Sequence, residues 1–305
     1  MRYTSPSKRK HLCYSNTMDI LIVTILAILG SIFGSFACAQ VWRLRAHQLH
    51  TDKSSHSEAS AGERSRLAKL SHSKPGPDRS RCLDCGYQLE WYDLIPIFSW
   101  LFLRGKCRKC HRPIGLLELL SELILAILFA VSYLLWPSEL NTLLGIIQFV
   151  LWLVLLVVLL ILFIYDLKWS LLPTSLLVTG IVISILFMLC DLNQFSLSYF
   201  AGIALSVAIL SGVYFLLYHG SKGRWVGSGD YLLAIPLAII LGSWLPAFLT
   251  LFLANVIGCF VALPGLVSRK LNSNSPVPFG PLLITAFIII FFFKDSLVDI
   301  LLPHL

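Results

Sequence analysis

Charge is what this sequence has least of. Only 13% of its 305 residues are Asp, Glu, Lys or Arg, against about 25% in an ordinary soluble domain. With 57% hydrophobic residues, that shortage excludes a soluble globular protein. A glycine-rich Rossmann fingerprint is also missing, so the residues give no sign of that kind of nucleotide site. Nor does a small-residue cleavage site follow the first apolar run, which passes directly into Trp42, Arg43 and Arg45. That run is too long for a signal-peptide core and reads as a retained helix.

What the chain has instead is length of apolar sequence. From Leu143 to Ile164 there are 22 residues without a charge, enough to cross a hydrocarbon core of about 30 Å as a helix. Similar stretches occur at 19–42, 116–136, 173–190, 197–218, 230–242, 246–266 and 280–302. Backbone groups in lipid must be satisfied internally, so these segments are expected to be helical. The fold expected is an all-α polytopic membrane protein of about eight transmembrane helices, with a lipid bilayer as its surroundings. Residues 1–17 look foreign to it. Translation is expected to begin at Met18, which opens a first helix over 18–45.

The cations are unevenly placed. Of 24 Lys and Arg residues, 14 lie between Arg43 and Arg112, among seven acids. Positive charge beside helix ends marks the cytoplasmic side, so this loop is expected there. Eight alternating spans also put Lys168, Lys222, Arg224, Arg269 and Lys270 on that side. Topology accounts for this charge, so no nucleic-acid partner is expected. Residues 46–80 are too polar to bury much surface and are expected to be mobile. The loop's histidines (His47, His50, His56, His72, His111) read as solvated rather than as a metal tract.

Four of the eight cysteines form Cys82-Leu-Asp-Cys85 and Cys107-Arg-Lys-Cys110, separated by 21 residues. Two turn-borne pairs can place four thiolates tetrahedrally around zinc, and nearby cations favour thiolates. Two disulfides or four free thiols are the alternatives, the former disfavoured in a reducing compartment. A structural zinc held by Cys82, Cys85, Cys107 and Cys110 is expected within a loop spanning 81–115. Such a closed site has no open position for hydrolysis.

Ionisable residues in or beside a membrane bundle are expensive and point to function. Asp166 stands at the end of the long apolar run that opens at Leu143, and Asp230 follows the turn Gly227-Ser228-Gly229. Two adjacent carboxylates do not both ionise easily, so one can act as acid and the other as base towards an amide. The same residues equally suit helix capping, or pairing with Lys168 or Lys222. Spacing alone does not bring them together.

These segments together resemble the bacterial type IV prepilin leader peptidases. The likeness rests on GSFACAQVWRLR at 34–45, the cysteine loop at 81–110, and Glu122 in the second helix. Asp166 with Pro173, the Gly-x-Gly-Asp of 227–230, and PVPFGPLL at 276–283 complete it. The resemblance implies a catalytic dyad of Asp166 and Asp230 supported by Gly227 and Gly229, in a peptidase core over 116–305. It implies cleavage of prepilin or pseudopilin leaders at the cytoplasmic face of the bacterial inner membrane. It also suggests N-methylation of the new N-terminus with S-adenosylmethionine. The chain departs from the family pattern at Thr174, where an acid often follows the proline, and at Leu232, where a lysine is usual. Cys38 and Ala39 replace an expected asparagine and valine. A polytopic transporter and a non-enzymatic pilus or secretion assembly protein are the rival readings.

Overall fold

A computed structural model describes residues 17–51, 61–71, 80–137, 140–190, 196–267 and 278–301. Their helices, in chain order, are α1 (Thr17–Thr51), α2 (Ala61–Ser71), α3 (Phe98–Phe102), α4 (Leu116–Leu134) and α5 (Leu143–Trp169). There follow α6 (Thr174–Leu189), α7 (Leu197–Ser221), α8 (Ser228–Leu241), α9 (Trp244–Val267) and α10 (Gly280–Leu301). A short 3₁₀ turn covers Trp91–Leu94. Among the described residues there is no β-strand beyond two isolated bridges.

All eight apolar segments are helical, but the expected count of eight crossings is not supported by length. Helices α1, α4, α5, α7 and α9 are long and apolar enough to cross a membrane. Helices α6 and α8 and the Gly280–Lys294 part of α10 are shorter. The 14 residues of α8 extend about 21 Å at 1.5 Å per residue, less than the hydrocarbon thickness. Gly242 ends α8 in the left-handed region, φ 70°, with its N–H on the Ala238 carbonyl.

Residues 46–80, expected to be mobile, hold regular structure in their described parts. Helix α1 continues past residue 45 to Thr51, and α2 lies against it. Glu63 pins α2 by accepting from Arg45 Nε and from Trp169 Nε1, both at 2.9 Å. Buried Leu67 meets Ala46 and Leu49. Residues 1–16 of the expected extension 1–17, together with His56 and His72, lie outside the described residues, and Thr17 opens α1.

Helix α5 is the core helix, buried for most of its length. The Thr142 hydroxyl accepts from Gly145 N–H at its start. Trp152 stacks on Phe291 of α10, centroids 3.8 Å apart, and donates to Ser132 of α4 at 2.8 Å. Between lipid-bathed helices such packing and hydrogen bonds replace the hydrophobic drive available in water. Backbone approach does the same for α1 and α4. A Cβ on Gly30 or Gly34 would stand 2.5 Å from the carbonyl oxygens of Leu125 and Ser121, so this small-xxx-small pair admits no side chain. Ser206 and Ser211 of α7 donate to the Ala238 and Tyr231 carbonyls of α8, each at 2.8 Å, and so fix the antiparallel register of those helices.

Candidate active site and cysteine centre

Asp166 lies in the last turn of α5 and is 4% exposed. The helix stops at Ser170, φ 51°, whose N–H bonds the Asp166 carbonyl. On the side chain, Oδ2 accepts the N–H of Gly280 at 2.9 Å. Gly280 is the first residue of α10, where unpaired amides and the helix dipole favour a carboxylate. A Cβ at 280 would stand 2.7 Å from that oxygen. Glycine is what lets α10 begin so close.

Asp230 is the third residue of α8 and is 8% exposed. Its Oδ2 accepts from Gly227 N–H at 2.9 Å, while its own N–H donates to the Gly227 carbonyl. It therefore also closes the first turn of its helix, as a capping residue would. Gly229 has a different task. A Cβ there would fall 2.7 Å from Cβ of Leu172, which lies in the turn just after Asp166. That contact holds the start of α8, which carries Asp230, against the turn that follows α5, which carries Asp166. Each carboxylate is thus tied through Oδ2 to one glycine amide. Neither Oδ1 has a hydrogen-bond partner among the described residues.

Neither aspartate forms an ion pair among the described residues. Lys168 instead places its ammonium 3.9 Å from the Trp42 ring, and Lys222 is exposed. Of the departures, Thr174 opens α6 at an exposed position and Leu232 is half-buried in α8. Two nearby residues escaped the sequence reading. Gly280 sat inside PVPFGPLL, whose Phe-Gly step could have signalled a close backbone approach. Tyr214 of α7 is buried against Phe279. It lies on the same helix as Ser211, whose hydroxyl donates to the carbonyl of Tyr231, the residue after Asp230; nothing in its sequence neighbourhood marks it.

The cysteine loop is two copies of one turn, offset by 25 residues. Cys82 N–H bonds Tyr87 O at 2.8 Å and Gly86 N–H bonds Cys82 O at 2.9 Å. Cys107 N–H to Arg112 O and His111 N–H to Cys107 O repeat the pattern, both at 2.9 Å. The bridges Arg81 to Gln88 and Lys106 to Pro113 close the two turns alike. Gly86 and His111 take the equivalent left-handed position, φ 73° and 55°.

The four sulfurs lie within 4.8 Å of one another, with Cys82 to Cys110 at 3.9 Å and Cys85 to Cys107 at 4.0 Å. Tetrahedral zinc with bonds of about 2.3 Å sets sulfurs about 3.8 Å apart, so the donor set fits. Burial alone would raise the Cys107 thiol. The Cys110 and Lys109 amides and neighbouring sulfurs outweigh it and bring the value down to about 7, while burial pushes Cys82 up to about 12. Asp84 ties the loop to α2 through Arg66 at 2.8 Å. Glu122 of α4 ties it to the bundle by accepting from Ile97 N–H at 2.7 Å. A cavity of about 820 Å³ lies between loop and helix ends, lined by Cys38, Trp42, Arg81, Glu118 and Lys168 among others.

This is the architecture of a polytopic helical membrane protein whose paired aspartates and four-cysteine loop occupy separate regions. Residues 28–136 match the family model described as the bacterial peptidase A24 N-terminal domain, and residues 153–263 the one described as the type IV leader peptidase family. The chain is 32% identical to a prepilin leader peptidase/N-methyltransferase of Stutzerimonas stutzeri, over 68% of this chain and 69% of that protein. It is 32% identical to one from Aeromonas hydrophila, over 72% and 73%. With one from Pseudomonas aeruginosa it shares 30% identity over 89% and 90%. No solved structure matches the chain. The chain belongs to the type IV leader peptidase family.

Proposed function

We propose that this protein is an aspartic endopeptidase of the bacterial inner membrane that removes leaders from prepilins or pseudopilins, with Asp166 and Asp230 as its catalytic pair at the cytoplasmic face. The observation that carries the reading is the anchoring of both carboxylates. Each is held through Oδ2 by a glycine N–H at 2.9 Å, at helix ends clamped together by Gly229 against Leu172. In this arrangement one carboxylate takes a proton from the attacking water. Its protonated partner donates to the carbonyl oxygen of the scissile bond. Water oxygen becomes bonded to that carbon, the C–N bond breaks, and the amine leaves with a proton from the pair. The cytoplasmic assignment rests on the cations beside the helix ends, Arg43, Arg45, Arg104, Lys106 and Arg112.

Zinc, held by Cys82, Cys85, Cys107 and Cys110, would supply folding energy to the loop and takes no part in cleavage. The relatives' names add N-methyltransferase activity, and we carry it as a second step on the new N-terminal amine with S-adenosylmethionine as donor. The test is leader cleavage of a co-expressed prepilin in membranes, comparing wild type with Asp166→Asn and Asp230→Asn. Cleavage by wild type and by neither variant supports the pair; cleavage by both variants overturns it. Transfer of labelled methyl groups to the cleaved product, scored separately, tests the second step.

A further inference from the structure

The segment between the two cysteine turns presents a surface unsuited to water. Seven of the twelve residues from Trp91 to Phe102 are exposed and apolar, led by Phe102 at 85%, Trp91 at 74% and Phe98 at 61%. The segment's only charged side chain, Asp93, is turned inward and paired with Arg108 at 2.8 Å. Contiguous apolar surface of this kind marks a contact site, and of its seven exposed residues only Leu94 lines the cavity of about 820 Å³.

Its depth says what it contacts. The Ile97 amide bonds the Glu122 carboxylate, and Glu122 is the seventh residue of α4, a helix apolar enough to span a membrane. Six residues below Leu116 is about 9 Å. Allowing for a side chain that leans towards its helix's start, Ile97 stands about one turn inside the apolar part of α4. At the same level Gly34 of α1 touches Glu122, and the α1 residues Phe33 and Phe36 are exposed. The segment therefore lies beside lipid-facing helix surface. Arg104 and Lys106, both exposed, follow it at the edge, where cations meet anionic headgroups.

We propose that Trp91–Phe102 is an interfacial anchor that dips into the loop-side leaflet, with Trp91, Phe98, Leu101 and Phe102 buried among lipid headgroups and upper acyl chains. Its aromatics sit where amphipathic rings favour the membrane boundary. The anchor makes the cysteine loop a membrane-seated element rather than one standing in water.

The test uses the full chain in nanodiscs of phosphatidylethanolamine and phosphatidylglycerol. Trp91 emission is taken as the difference between wild type and Trp91→Phe. Phe102→Trp adds a second reporter at the most exposed position of the segment. Lipids brominated high on the acyl chain are expected to remove most of both signals, deep bromination less, and aqueous acrylamide little. Strong acrylamide quenching with no effect of brominated lipid places the segment in water and overturns the proposal. Insensitivity to brominated lipid, with a spectral shift on adding a prepilin N-terminal helix, makes it a substrate-docking face and overturns it equally.

Discussion

The cysteine loop closes between partners at most 28 positions apart, whereas the aspartate site draws on an amide 114 positions from the carboxylate it holds. In the first, a turn repeated at a fixed offset brings its own sulfurs together. In the second, no local rule operates. The end of α5 and the starts of α8 and α10 arrive from separate parts of the bundle, and small residues set how near they come. The loop can thus be damaged without moving the aspartates, while the aspartates are sensitive to distant helix packing.

The sharpest way to break this contrast is to remove a carboxylate. Asp166→Asn or Asp230→Asn is expected to lower leader cleavage by roughly 10³-fold or more, while zinc content by metal analysis stays at the wild-type level. Next in size is Gly280→Ala. Its Cβ would press on Asp166 Oδ2, so α10 must shift and the hydrogen bond from the residue-280 N–H is lost. Cleavage should fall roughly 10²-fold from misplacement alone, with helical content by circular dichroism unchanged. Equal activity in this variant would remove the claim that α10 positions Asp166.

Cys107→Ser probes the other region. It should weaken zinc binding by more than the roughly 10- to 100-fold that outer-shell partners are worth. Hydrogen exchange should quicken in residues 81–115 and stay slow in α5. Fast exchange in both would mean that the regions are not separable. The smallest effect compares the two turns with each other. Gly86→Ala puts a side chain at φ 73° where no atom crowds it, so only backbone strain of about 1 kcal/mol is added. That is roughly a fivefold loss of zinc affinity in chelator competition. His111→Gly relieves the same strain and should shift affinity the other way.

The two regions also differed in legibility. Cys82, Cys85, Cys107 and Cys110 were identifiable from spacing because the chemistry is local, and the structure brings their sulfurs together. The apolar segments were equally plain as helices. Their number as crossings was not, because α6 and α8 are apolar but short, and apolar character says nothing of tilt or depth. Asp166 and Asp230 stood out as charges at the ends of apolar runs, but their juxtaposition depends on Gly229 meeting Leu172, a contact no spacing encodes. The helical part of 46–80 was missed for a related reason. Helix α2 has little apolar sequence, and is held by Glu63, Leu67 and Arg66 against partners on α1, α5 and the loop.

The amide that holds Asp166 belongs to residue 280, 114 positions further along the chain. A ribosome makes both aspartates long before it makes that residue. A chain synthesised only through α8 therefore carries the two acids without the group that fixes one of them. Only when α10 joins the bundle does Asp166 gain the Gly280 amide, so that side chain stays unanchored until residue 280 has been made.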